Sequence, residues 1–232
     1  MRFPICGRLL HTVTPLAVRQ FECRGEERGR RLIVLLPGID DTKEDYEFHG
    51  FAEPVQRRGL SVDLVAVDAH YGYYANRTVL ERLKHDVIAP ARDKGYREIW
   101  LAGISLGGLG ALLYAREHPG DIAGIVALAP FLGDSRIIEE ISGAGGVRQW
   151  LSGDPIKNDY QRSLWAWLKR YEHPAPGLPD LYLAYGDRDK FAHGHRLLSE
   201  LLPLDHVLQT RGTHNWTTWK RLWEQFLARR SF

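Results

Sequence analysis

A serine flanked on each side by a glycine two positions away, in Gly103-Ile104-Ser105-Leu106-Gly107, constrains this chain more than any other feature. The pattern G-x-S-x-G places its serine on a sharp turn between a strand and a helix. With eight serines and 23 glycines among 232 residues, chance would produce about 0.08 such matches, so the pattern needs a physical cause. The flanks supply one. Glu98 to Ala102 reads as a short buried strand entering the motif, and Leu106 to His118 as a helix leaving it, with Pro119 as a stop. A serine backbone strained to project its hydroxyl leaves no room for side chains two positions away, next to the neighbouring strand.

The rest of the chain alternates strand and helix patterns. Val13 to Cys23 and Arg31 to Leu36 read as two strands, paired antiparallel through the charged turn Arg24 to Arg31. Glu44 to Arg58 reads as a helix, Val62 to Val67 as a strand, and Thr78 to Lys94 as a helix broken near Pro90. Strands follow at Ile122 to Leu128, Leu181 to Tyr185 and His206 to Thr210, with helices at Phe191 to Leu202 and Trp216 to Arg229. This order predicts an α/β fold: a mostly parallel central sheet with helices on both faces and an antiparallel N-terminal start. Active groups in such sheets gather at the carboxyl ends of the strands. The stretch from Pro130 to Pro179 interrupts the rhythm with a short helix at Ser135 to Ile141, a glycine cluster at 143, 145 and 146, and the aromatics Trp150, Tyr160, Trp165 and Trp167. It predicts a small cap or lid inserted into one domain spanning 1–232.

Composition excludes several classes. A net charge of +2, from 31 basic and 29 acidic side chains, offers no field to select nucleic acid or an acidic membrane. No apolar run is long enough to span a bilayer, and Met1 to Leu10 does not read as a signal peptide. Cys6 and Cys23, the only cysteines, make no disulfide framework and read as free thiols. A cytoplasmic protein is the expectation. The sequence leaves its oligomeric state open.

A serine hydroxyl needs a base to attack a carbonyl at neutral pH, and the base needs an orienting carboxylate. Among ten histidines, His214 is the expected base. It follows the last strand in the glycine-bearing loop Arg211-Gly212-Thr213-His214, whereas His193 and His195 read as surface groups at the start of a helix. The turn Tyr185-Gly186-Asp187-Arg188-Asp189 holds two carboxylates, either of which can reach. Charge developing on a carbonyl oxygen requires fixed donors. The Leu106 amide opens a helix and supplies one, and the loop Leu35 to Asp41, turning at Gly38, offers the Ile39 amide as a second. Asp40 and Asp41 read as a solvated pair capping the following helix, with Asp40 as a lesser candidate for the substrate pocket. His70, Tyr71, Tyr73 and Tyr74 follow another strand end and are candidate pocket walls, His70 and Tyr71 first among them.

Together these residues resemble the α/β-hydrolase fold superfamily, in the order nucleophile, acid, histidine, over roughly Thr14 to Phe232. In that family the acid commonly stands three residues after a strand-ending glycine, which selects Asp189 over Asp187. The family's oxyanion loop often reads His-Gly-x; here Pro37 replaces the histidine, and the donor carried over is Ile39, with Asp40 as fallback. The resemblance implies a carboxylesterase-like serine hydrolase acting on a small-molecule ester or thioester through Ser105, His214 and Asp189. It implies no cofactor and no metal. Thioesterase or amidase activity on the same groups, and a non-catalytic binding protein of this fold, are the alternatives. Haloalkane and epoxide chemistry is disfavoured, because those relatives use an aspartate nucleophile.

Overall fold

The computed structural model describes residues 11–21, 31–153, 159–174, 176–230 and 232. Cys6, Cys23, the segment Met1 to Leu10 and all of the charged turn except Arg31 lie outside the described residues. Seven strands form one sheet: β1 (Val18–Phe21), β2 (Arg31–Leu36), β3 (Asp63–Val67), β4 (Glu98–Ile104), β5 (Gly124–Leu128), β6 (Asp180–Gly186) and β7 (Val207–Thr210). Their order is β1-β3-β2-β4-β5-β6-β7, and every neighbouring pair is parallel except β1 with β3.

The antiparallel start therefore stands, but the expected pairing of the first two strands does not. Val18 to Phe21 pairs with β3 on the far side of β2. β2 is buried along almost its whole length and has parallel partners on both edges, so its backbone groups are already taken when β1 arrives. The exposed β1 is left to cover the sheet's edge.

Helices α1 (Lys43–Phe48), α2 (Glu53–Arg57), α3 (Tyr71–Ala75), α4 (Val79–Arg82), α5 (Ala89–Asp93), α6 (Leu106–Glu117), α7 (Ser135–Gly143), α8 (Tyr160–Leu168), α9 (Ala192–Ser199) and α10 (Trp216–Arg229) cover both faces. Strand side chains alternate between two cores. Leu32, Val34, Ile99 and Leu101 face the layer holding α3 to α9, while Ile33, Leu35, Trp100 and Ala102 face α1, α2 and α10. Both sets are fully sealed from solvent, which is why these strands read as unbroken apolar runs.

Three helix expectations are corrected. The helix expected over Glu44 to Arg58 is two pieces, because Gly50 turns left-handed between them at φ +66°. The break expected near Pro90 is a widened π turn over Leu83–Ile88 that passes directly into α5. Proline has no N–H to donate to the carbonyl four residues back, and an extra residue in the preceding turn accommodates that loss. The interrupting segment contains a second helix, α8, whose Trp165 indole donates to the Leu132 carbonyl at 2.8 Å. Its buried side chains join the α3–α9 core. Among the described residues, no helix is long and apolar enough to cross a membrane.

Candidate active site

Ser105 lies between β4 and α6 with φ 53° and ψ −109°, a conformation that side-chain-bearing residues avoid. Local geometry explains how it is held. A β-carbon on Gly103 would run into the Gly107 carbonyl, and one on Gly107 would run into the Leu36 and Pro37 carbonyls of β2 and its exit. The Ser105 amide donates to the Leu128 carbonyl at 3.0 Å, and its carbonyl accepts from the Phe131 amide at 2.9 Å. The end of β5 thus braces the turn from one side while β2 limits it from the other.

Side chains from three strand ends converge here. The Ser105 Oγ is 3.0 Å from Nε2 of His214, and His214 Nδ1 is 2.8 Å from Oδ2 of Asp189. With Nδ1–H donated to the carboxylate, the Nε2 lone pair faces the serine hydroxyl. Phe191 and Trp219 pack edge-on against the imidazole, with ring centroids 5.1 and 5.0 Å away. The second Asp189 oxygen accepts the Phe191 amide at 2.9 Å. Burial pushes the Asp189 pKa upward, but the His214 hydrogen bond, the Phe191 amide and the nearby imidazoles outweigh it, and the carboxyl lies below its usual value.

Asp187 does other work: it accepts the Gly212 amide at 2.9 Å and so closes the β6 turn against the β7 exit. Its backbone N–H donates to Thr210 at 2.9 Å. The two carboxylates that the turn offered are therefore separated by direction, one toward His214 and one toward backbone.

Ile39 and Leu106 both line a cavity of about 520 Å³ that reaches Ser105. Neither amide donates a hydrogen bond among the described residues, and Leu106 begins a helix of 12 residues, the positive end of its dipole. The expected pocket walls divide. Tyr71 lines the cavity, as does Tyr74, whereas Asp40 and His70 do not. Asp40 is exposed, and His70 turns back to accept the Gly72 amide at 3.1 Å, capping α3. Tyr73 is buried away from the cavity and bonds the Val13 backbone.

The expected capping role of Asp40 and Asp41 is also corrected. Thr42 and Asp45 cap α1, with Asp45 accepting the Thr42 amide at 2.7 Å. Asp41 instead accepts the Trp216 indole N–H at 3.0 Å, and burial raises its pKa. His195, expected at the surface, is fully buried. Its Nε2 meets the Pro130 carbonyl at 2.9 Å, its Nδ1 has no hydrogen-bond partner among the described residues, and burial drives its pKa down to about 4. The helical period explains the difference: His193 and His195 lie two residues apart on α9 and so fall on opposite sides of the helix, one exposed and one buried.

Sequence reasoning missed Leu109, Leu113, Phe131, Phe191, Arg77 and Lys190 in the cavity wall. The leucines had a usable signal, since positions four and eight after Ser105 share one helix face. Among the described residues, no group of three His, Cys, Asp or Glu side chains is arranged to hold a metal.

Solved structures share this architecture at low identity. Est1E from Butyrivibrio proteoclasticus is 17% identical with a TM-score of 0.61, over 92% of this chain and 93% of its own. The fluorophosphonate-binding serine hydrolase FphF of Staphylococcus aureus is 13% identical with a TM-score of 0.61, over 92% and 98%. The S-formylglutathione hydrolase FrmB of Staphylococcus aureus is 15% identical with a TM-score of 0.60, over 87% and 81%. At such identities the likeness is one of fold. No curated protein sequence matches the chain. The model of the alpha/beta hydrolase family, however, matches residues 33–230, from the second strand through the last helix and across all three converging side chains. The chain belongs to the alpha/beta hydrolase family.

Proposed function

We infer that the protein hydrolyses a carboxylic ester of small or medium acyl size through a covalent acyl-enzyme. The observation carrying this reading is the relay from Ser105 Oγ through His214 to Asp189, at 3.0 and 2.8 Å. Ser105 attacks the ester carbonyl while His214 Nε2 takes its proton. Asp189 orients the ring and stabilises the imidazolium that forms. The Ile39 and Leu106 amides receive the developing oxyanion, the latter with the help of its helix dipole. His214 returns the proton to the leaving alcohol, and water then releases the acyl group by the same steps in reverse.

Two further features support the substrate size. The cavity beside Ser105, about 520 Å³ and walled mainly by leucine and aromatic side chains, suits an apolar group of medium length. The 130–179 segment acts in this reading as a cap within a single domain, contributing Phe131 and Tyr160 to the cavity wall.

A fluorophosphonate probe and a panel of chromogenic esters of increasing acyl length test the reading. Stoichiometric labelling that disappears in Ser105→Ala, with turnover lost by about a thousandfold or more, is the expected result. Folded protein that neither labels nor cleaves any ester would point to a binding module instead.

A further inference from the structure

The cavity beside Ser105 is apolar along its length, yet it carries two cations. Leu106, Leu109 and Leu113 line it from α6, presenting one helix face that runs about 10 Å away from the nucleophile. Among the described residues, the only charged ones in the wall are Arg77 and Lys190, and no carboxylate lines it to balance them. Neither side chain forms an ion pair or hydrogen bond among the described residues. Lys190 lies over the Phe191 ring, 4.9 Å from its centroid.

Arg77 also occupies a position unsuited to arginine. At the end of α3 the Thr78 amide donates to the Tyr73 carbonyl at 2.9 Å and the Arg77 amide to the Tyr74 carbonyl at 3.1 Å. These paired bonds form the helix-ending motif whose left-handed residue is usually glycine. Arg77 takes that place with φ +59°. Glycine there would relieve the strain, whereas arginine keeps it and places an exposed cationic side chain at the cavity wall, without an ion pair or hydrogen bond among the described residues. Strain of this kind concentrates where a side chain has a task. A free guanidinium offers paired donors that match an oxyanion better than any neutral group.

The geometry points to Arg77 as an anion-recognising residue: the substrate is an ester whose apolar chain lies along α6 and ends in an oxyanion, a carboxylate or a phosphate. Lys190 adds a second positive charge to the same cavity. This assignment rests on the reading of Ser105 as nucleophile and extends it to the class of substrate.

Two chromogenic esters of equal chain length test it, 4-nitrophenyl octanoate and the 4-nitrophenyl monoester of suberic acid. Wild type is expected to favour the anionic ester, with a preference that declines as salt is added. In Arg77→Gly the ratio of anionic to neutral kcat/KM falls about tenfold, chiefly through KM. The same variant keeps its Tm or raises it by up to about 3 °C, because glycine suits the left-handed position. Arg77→Gln loses the preference without that gain. An analogue ending in a phosphate monoester separates the two anions by which has the lower KM. Equal losses on both esters in Arg77→Gly, or a wild type indifferent to the anion, would overturn the assignment while leaving the nucleophile reading intact. Should Ser105 neither label nor turn over, thermal shift by octanoate against octanamide still decides. A shift specific to octanoate and lost in Arg77→Gly supports the anion site, and its absence overturns it.

Discussion

Two histidines sense the Asp189 charge, and they live in opposite surroundings. His214 is partly accessible beside Ser105, with both ring nitrogens engaged, one by carboxylate and one by the Ser105 hydroxyl. His195 is sealed beneath the site, donating to the Pro130 carbonyl and leaving Nδ1 without a partner among the described residues. The difference teaches that a carboxylate nearby does not make an imidazole a base. A working base must be able to take up a proton, and burial opposes the charged form. His195 keeps its neutral form down to about pH 4 and is suited to bracing. It holds the β5 exit, where Ala129 takes φ +46° and the Phe131 amide grips the Ser105 carbonyl.

The comparison breaks most visibly at its shared carboxylate. Asp189→Asn should cut kcat by about 10³–10⁴-fold, because the amide no longer enforces the productive imidazole tautomer. Asp187→Asn, whose oxygen serves the Gly212 amide and lies 3.9 Å from the exposed Arg188 guanidinium, should lose less than about tenfold. Steady-state kinetics on one ester decides the matter; equal or reversed losses would assign the acid wrongly.

The support beneath the open corner can be broken next. Gly107→Ala forces a β-carbon against the Leu36 and Pro37 backbone carbonyls. The expected cost is about 3 kcal/mol of stability, read as a Tm lowered by about 6–12 °C.

The sealed corner predicts a pH effect of similar or smaller size. His195 titrates near 6.5 when unfolded and near 4 when folded. As pH falls from 6.5 toward 4, the unfolded chain binds a proton that the folded chain refuses, so stability declines across that window, by up to about 3 kcal/mol. Above pH 6.5 the contribution is complete, and below about pH 4 the loss levels off. Asp189 acts in a separate range: its lowered pKa adds stability above its ordinary value of 3.8 that disappears only as pH falls below it. Urea unfolding of His195→Gln between pH 7 and pH 4 should lack the first decline. An unchanged slope would mean that another group produces it.

The smallest effect is expected at Asp41. Replacing it with Asn preserves an acceptor for Trp216 while removing a carboxylate whose charge is opposed by burial. Stability should stay the same or rise by less than about 1 kcal/mol. A loss above 2 kcal/mol in thermal or chemical unfolding would show that the charge itself is needed.

Legibility differed sharply between these regions. The β4 turn was readable because every requirement on it is local: a strand, a strained serine, two glycines without room for side chains, and a helix. Asp189 needed the family resemblance, since the turn alone presented two carboxylates at nearly equal reach. The cavity wall was mostly illegible. Phe131, Tyr160 and Phe191 join the expected Tyr71 there from separate segments, and neither period nor spacing links segments that only packing brings together. His195 was misread for a related reason, as its exposure depends on which face of α9 lies against α7 and the end of β5.

From the sequence alone came the parallel α/β layout, the serine turn, and the approximate places of the imidazole and the carboxylates near it, because short-range sterics and strand–helix periodicity act within a few residues. The tertiary structure alone decided that β1 crosses to β3, that Asp187 faces backbone while Asp189 faces His214, and that Arg77 meets an apolar cavity. Those outcomes depend on which edges and faces are still free once the sheet has assembled, and that competition involves the whole chain at once.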